Sequence, residues 1–269
     1  MRKASRIFKH LFLIVASLLS VFPFYWMIIG ATNTSSEIIA GKLTFGTNAL
    51  TNIKNAFSQY DISGAFVNSL IISVITTFAC VFLCSMAGYA FVIFRTKLLN
   101  AIFGILLLSM MIPFSALMIP LFTMFGKAGI NNTYLAVILP SVATAFMIFF
   151  FRQNTESFQY ELVQAARVDG LSELGIFIKI YMPVMGSSYA AAFIIAFMNS
   201  WNNYLWPLVT ISSNERRTLP LLLSYVSSAY TPDYGVIMVT IIIATIPMIL
   251  IFFLLQKYFV SGMVGAVKG

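Results

Sequence analysis

Charged residues are scarce in this chain. They make up 9% of its 269 residues, while 60% are hydrophobic. A soluble domain carries about a quarter charged residues. A chain of this composition cannot cover itself with polar surface in water, so an integral membrane protein is expected. Histidine is scarcer still. His10 stands alone, with no ligand partners nearby in sequence, so neither a Ser-His-Asp set nor a metal site is expected. The two cysteines, Cys80 and Cys84, sit four apart inside an apolar run. That spacing puts them on one helix face as packing residues rather than as a redox pair. The step Gly126-Lys127 is followed by Ala128, and Leu121 stands where a P-loop needs its first glycine. Paired carboxylates are missing from the apolar runs as well. No catalytic residue and no cofactor is expected on this chain.

The sequence is rich in long apolar runs. A membrane-spanning helix needs about 20 such residues. Six stretches qualify: 11–31, about 64–93, about 101–125, about 134–151, about 184–210 and about 234–255. The expected fold class is all-α integral membrane with six transmembrane helices. None of the six runs holds Asp, Glu, Lys, Arg or His. Proton-coupled carriers and voltage sensors need ionisable groups inside the membrane, so energy for any active transport has to come from elsewhere. Ion coupling through backbone carbonyls stays open.

The first run follows MRKASRIFKH, which has the character of a signal-peptide n-region. Its apolar part is longer than a typical h-region and no A-x-A site closes it, so a retained anchor is expected. With the N-terminus inside, the inner segments hold Arg2, Lys3, Arg6, Lys9, Arg95, Lys97, Arg152, Arg167, Lys179, Lys257 and Lys268. The outer ones hold only Lys42, Lys54, Lys127, Arg216 and Arg217. The positive-inside rule then places both termini in the cytoplasm. It also accounts for the net charge of +8 without nucleic acid. Trp26, Trp201 and Trp206 near run ends fit interfacial belts. Pro23, Pro113, Pro120, Pro140, Pro207 and Pro247 interrupt runs, and either irregular packing or a cavity or hinge would account for them. The expected organisation is an N-terminal span with an external loop (1–63), a core (64–255) carrying a cytoplasmic loop (152–183), and a cytoplasmic tail (256–269).

That loop contains ELVQAARVDGLSELGIFIKIYMPVM. With Glu156, it holds Glu161, Asp169 and Glu173, half of the eight acidic residues in the chain. The pattern predicts two short helices, one over about Phe158–Val168 and one from about Ser172. Asp169-Gly170 breaks them apart, because glycine accepts a left-handed turn. Phe158, Leu162, Ala165 and Ala166 would form one apolar stripe, and Leu174, Phe177 and Ile178 the other. A helical hairpin with a greasy side and mixed charges suits docking into a partner's groove. An anionic lipid surface would hold it only weakly.

The spacing within this loop resembles the EAA loop of ABC importer permeases. Gln164-Ala165-Ala166 is followed by three residues and Gly170, and then by nine residues, Ile180, Tyr181 and Met182-Pro183. Gln164 and Met182 depart from that family's glutamate and leucine. Asp169 before the glycine matches the sugar-importer version. AFMNSWNNYLWPLVTI (196–211), the tail KYFVSGMVGAVKG (257–269) and ATNTSSEI (31–38) resemble the maltose-type, six-span permease subunit of carbohydrate importers.

The resemblance implies a type I importer permease fold in a bacterial or archaeal cytoplasmic membrane. It implies ATPase coupling through Glu161, Gln164, Ala165, Ala166, Asp169, Gly170, Ile180 and Pro183. The implied partners are a dimer of ATP-binding subunits carrying ATP and Mg, a second permease chain (a heterodimer being favoured) and an extracytoplasmic solute-binding protein. Contact with the binding protein would fall on segments 32–63 and 212–232. A sugar path along Asn199, Trp201, Asn202, Asn203, Tyr204 and Trp206 would use amide hydrogen bonds and aromatic faces. An interfacial anchor would also account for that cluster. An importer of another solute, a secondary carrier or a channel are the competing functions.

Overall fold

The computed structural model describes the backbone of residues 2–266 and the side chains of residues 8–256. The tail stretch 257–269 and the charges of Arg2, Lys3 and Arg6 lie outside the described side chains. The described chain is all-α. Its helices are α1 (Arg2–Gly30), α2 (Ser35–Ile39), α3 (Ala49–Gln59), α4 (Ile62–Ile93), α5 (Lys97–Ser109), α6 (Phe114–Lys127), α7 (Tyr134–Ser141), α8 (Ala145–Thr155), α9 (Tyr160–Val168), α10 (Glu173–Val184), α11 (Gly186–Trp201), α12 (Leu205–Thr210), α13 (Leu219–Ser227) and α14 (Tyr234–Ala266).

Three of these contain straight apolar stretches long enough to cross a bilayer: Phe8–Gly30, Ile62–Ile93 and Tyr234–Gln256. Three bent pairs raise the possible number of spans to six. α5 meets α6 at 102°, α7 meets α8 at 40°, and α10 meets the α11–α12 stretch at 85°. Half of the apolar runs are therefore broken. α5 stops before Pro113, which disfavours helical geometry in the residue ahead of it. Pro113 itself sits at the N-cap of α6 with extended backbone. α8 restarts at Thr144, whose hydroxyl oxygen accepts from the Met147 N–H at 3.3 Å.

The chain divides into two compact units, Met1–Ser63 with Leu221–Ile246, and Gly64–Pro220 with Pro247–Gly269. In the first, two buried amides tidy the end of α1. Asn33 Nδ2 donates to the carbonyls of Ile29 and Thr44, and Asn52 Nδ2 to those of Ala31 and Asn33. The end of a helix leaves carbonyls without partners, and these amides supply them. Thr34 and Glu37 form a capping box on α2. The Lys42 ammonium, hydrogen-bonded to Glu37 at 2.8 Å, holds that carboxyl down at about 2, with help from Thr34. Asp233 Oδ1 accepts from the Gly235 and Val236 N–H groups and so caps α14.

The second unit is organised around α4. Its buried side includes Ser69, Ser73, Thr76, Thr77, Cys80, Cys84 and Ser85. These small residues let neighbouring helices approach closely, as membrane packing favours. The cysteines are free and buried, with Sγ atoms 3.8 Å apart. They pack with Val81, Met147, Phe151, Ala192 and Ala196. At Gly88 a Cβ would fall 2.6 Å from Phe151 Cβ and 2.8 Å from the Arg152 nitrogen, so only glycine permits this crossing of α4 and α8. At the other end of α4, Asn68 Nδ2 donates to the Glu215 and Arg217 carbonyls, and its Oδ1 accepts from the Tyr134 hydroxyl at 2.6 Å. Ser69 Oγ accepts from the Leu219 N–H. Asn132, at φ 59, accepts from the N–H groups of Ser212 and Ser213, and the Arg216 guanidinium donates to its carbonyl. The 211–219 loop is thereby tied down along its length.

Candidate coupling loop and polar span face

The α9–α10 hairpin is built by local rules. Gly170 has φ +79. Its N–H donates to the Arg167 carbonyl, and the Leu171 N–H donates to that of Ala166. This pair of bonds is the Schellman closure of a helix, which needs a left-handed residue at that place. Ser172 then caps α10, its Oγ accepting from the Gly175 N–H at 3.2 Å. α10 passes into a π-helical turn over Phe177–Tyr181.

The hairpin is fixed to the Ile93 end of α4. Phe158, Val163, Ala166, Ile176, Phe177 and Tyr181 form one cluster with Tyr89, Ile93 and Met185. Tyr181 lies edge-on to Tyr89 at 4.9 Å and to Phe158 at 5.3 Å. Its hydroxyl shares a 2.6 Å hydrogen bond with Thr155 Oγ1. Arg167 Nε donates to Glu173 Oε1 at 2.7 Å and Nη1 donates to the Tyr160 hydroxyl, which together raise the guanidinium pKa. That clamp is exposed to solvent, so its main effect is to fix geometry.

The two expected stripes need correction. Ala165 is exposed, and Val163 takes the inward place beside Phe158 and Ala166. In α10 the inward residues are Ile176, Phe177 and Tyr181, while Leu174 and Ile178 face out. The physical reason is that each helix carries apolar residues on more than one side, and contact with α4 selects among them. Of the residues assigned to ATPase coupling, Glu161, Gln164, Ala165, Asp169, Gly170 and Pro183 are exposed, Ile180 is half-buried and Ala166 is buried. Sequence reasoning missed Val168, an apolar residue 88% exposed in the last turn before Asp169-Gly170. Its position on the polar side of the α9 periodicity was the available signal.

The fifth apolar run divides at Asn202–Tyr204. Trp201 is buried, stacked on Phe197 and edge-on to Phe66. Trp206 is fully buried between Phe114 and Phe125, and its Nε1–H donates to the Ala136 carbonyl at 2.7 Å. The interfacial-belt expectation does not hold for these two rings, because each is enclosed by protein. Asn203 Oδ1 accepts from the Trp206 N–H, while Tyr204 is half-buried and Asn199 and Asn202 are exposed. Among the described residues, no group of three or more His, Cys, Asp or Glu is placed to hold a metal.

Residues 81–265 match the family described as "Binding-protein-dependent transport system inner membrane component". The chain belongs to that family. As an inner membrane component of such a system it is a membrane-embedded, multi-pass permease subunit, working with a separate ATPase chain. It is 50% identical to the lactose transport system permease protein LacG of Rhizobium radiobacter, over 99% of this chain and 98% of that one. It is 36% identical to the arabinooligosaccharides transport system permease protein AraQ of Bacillus subtilis (strain 168), over 98% and 96% of the two chains. A crystal structure of a bacterial ABC transporter involved in the import of the acidic polysaccharide alginate shares the fold. Its TM-score is 0.85 at 19% identity, covering 96% of this permease and 97% of that chain.

Proposed function

We propose that this permease subunit forms half of the translocation pathway of an ATP-driven importer for a neutral sugar. Six spans with both termini in the cytoplasm are supported by the six charge-free runs and the Lys/Arg distribution, and the type I importer fold by the family resemblance. The organisation is then an N-terminal span and external loop (1–63), a permease core (64–255) with the coupling loop 152–183 on the cytoplasmic side, and a tail (256–269). Two full-length relatives at 50% and 36% identity are named for lactose and arabinooligosaccharides, which supports a sugar. An anionic solute would call for cationic groups along its route, and the six runs supply none.

The observation that carries the coupling role is the α9–α10 hairpin. It is welded to α4 on one side and presents Gln164, Ala165, Val168, Asp169 and Gly170 on the other. It would sit in a cleft of the ATP-binding subunit, where apolar contact gives affinity and the acids set register. ATP and Mg belong to that partner. One hairpin fills one of two clefts, so a second permease chain fills the other, and a heterodimer is favoured. The outer segments 32–63 and 212–232 would receive the solute-binding protein.

The test is Gly170→Val in the reconstituted importer. A β-branched residue at positive φ is strongly disfavoured. Uptake should fall at least about tenfold, and ATP hydrolysis should lose its stimulation by loaded binding protein. Unchanged uptake would count decisively against this role for the hairpin.

A further inference from the structure

A small cavity of about 70 Å³ opens where α7 and α8 part, walled by α4, α8 and α11. Thr76, Ser141, Thr144, Asn199 and Ser200 line it, together with Cys80, Met147 and Ala196. All of these are neutral. Most can both donate and accept.

Thr76 is the decisive member. It is 3% exposed, and its Oγ1 has no hydrogen-bond partner. A threonine inside a helix ordinarily returns its hydroxyl to the carbonyl four residues back. Thr155, Thr210, Thr240 and Thr245 of this chain all do so. Thr76 forgoes that bond on a wall of the cavity, as Ser73 and Thr77 do elsewhere on α4. Thr144 Oγ1 accepts from the Met147 N–H, and its side chain also hydrogen-bonds the Cys80 thiol. Asn199 is exposed on α11. An exposed amide in a charge-free span cannot face hydrocarbon cheaply, so a polar path on this side satisfies it.

We propose that Thr76, Ser141, Thr144, Asn199 and Ser200 form a subsite that takes a hydroxyl-bearing edge of the transported sugar. The volume decides how much enters. The cavity has room for a few water molecules, so a hydroxymethyl-sized arm fits it. The ring lies outside, against Asn199. Neutral donors and acceptors with no cation suit a sugar hydroxyl and give a carboxylate or phosphate no counter-charge. This inference rests on the sugar-permease reading above and assigns residues to it beyond the Asn199–Trp206 stretch.

Cys80 provides a native reporter. The complete importer, carrying Cys84→Ala in this chain, is reconstituted in proteoliposomes with its binding protein. Modification of Cys80 by methyl methanethiosulfonate is followed by mass spectrometry of this chain, with lactose or arabinobiose, whichever is imported, and with a sugar that is not imported. The imported sugar should slow modification about fivefold or more, and the other should not. Thr76→Val should lower maximal uptake roughly three- to tenfold, the effect of one lost neutral hydrogen bond. Thr76→Ser should restore uptake. Equal modification rates with intact uptake, or a Cys80 that stays unmodified without sugar, overturn the subsite, as does wild-type uptake by Thr76→Val. Wild-type vesicles that import no sugar at all overturn the sugar reading itself, and the subsite with it.

Discussion

Helices α1 and α4 both carry long apolar stretches, yet they are used in opposite ways. In the apolar stretch of α1, 6% of residues are buried, against 44% in α4. α1 turns Leu11, Phe12, Leu18 and Leu19 outward. α4 turns Asn68, Ser69, Ser73, Thr76, Thr77, Cys80, Cys84 and Ser85 inward. Hydropathy says that both helices tolerate lipid. The placement of small polar residues says which one lies at the centre of its unit. In hydrocarbon, packing rather than hydrophobic exclusion holds helices together, and small side chains are what permit close packing.

The largest test of this contrast is Gly88→Val. The added atoms would meet Phe151 and the Arg152 backbone, and overpacking against backbone costs about 3 kcal/mol or more. Most of the chain should fail to extract as a monodisperse species, and normal recovery would show that the α4–α8 crossing can loosen. Asn68→Leu comes next. It removes the two donated bonds that tie the Glu215–Arg217 strap to α4 and the acceptor for the Tyr134 hydroxyl. A loss of about 2–3 kcal/mol is expected from the groups left unsatisfied. A lower thermal midpoint and faster proteolysis within 211–219 would register it. The smallest effect belongs to α1. Leu19→Ala, at a side chain 70% exposed, should change chain stability by less than about 0.5 kcal/mol. Loss of the assembled complex at unchanged chain stability would assign that face of α1 to a partner subunit.

Much of this was legible in the sequence because a few residues act locally. Asp169-Gly170 and Ser172 place the hairpin turn wherever the rest of the chain lies. The six runs follow from composition alone. The inward faces were not legible. α9 and α10 carry apolar residues on more than one side, so Val163 could not be told from Ala165, nor Ile176 from Ile178. The enclosure of Trp206 depended on the Ala136 carbonyl, 70 residues away in sequence. The cavity at Thr76 depended on a missing bond, which no residue pattern encodes.

The three bent pairs have a consequence for motion. Bending a continuous helix in hydrocarbon opens backbone hydrogen bonds that no water can replace, at several kcal/mol each. The segments 110–113, 142–144 and Met185 have already left the straight helical course. Rotation there is a torsional change with little bond breaking, so a swing between two conformations would meet its lowest barriers at these three points. The unbroken α4 would resist. A lever of this kind needs one rigid arm and a few soft joints, and in this chain Pro113, Pro140 and Pro183 lie in or within two residues of the three joints.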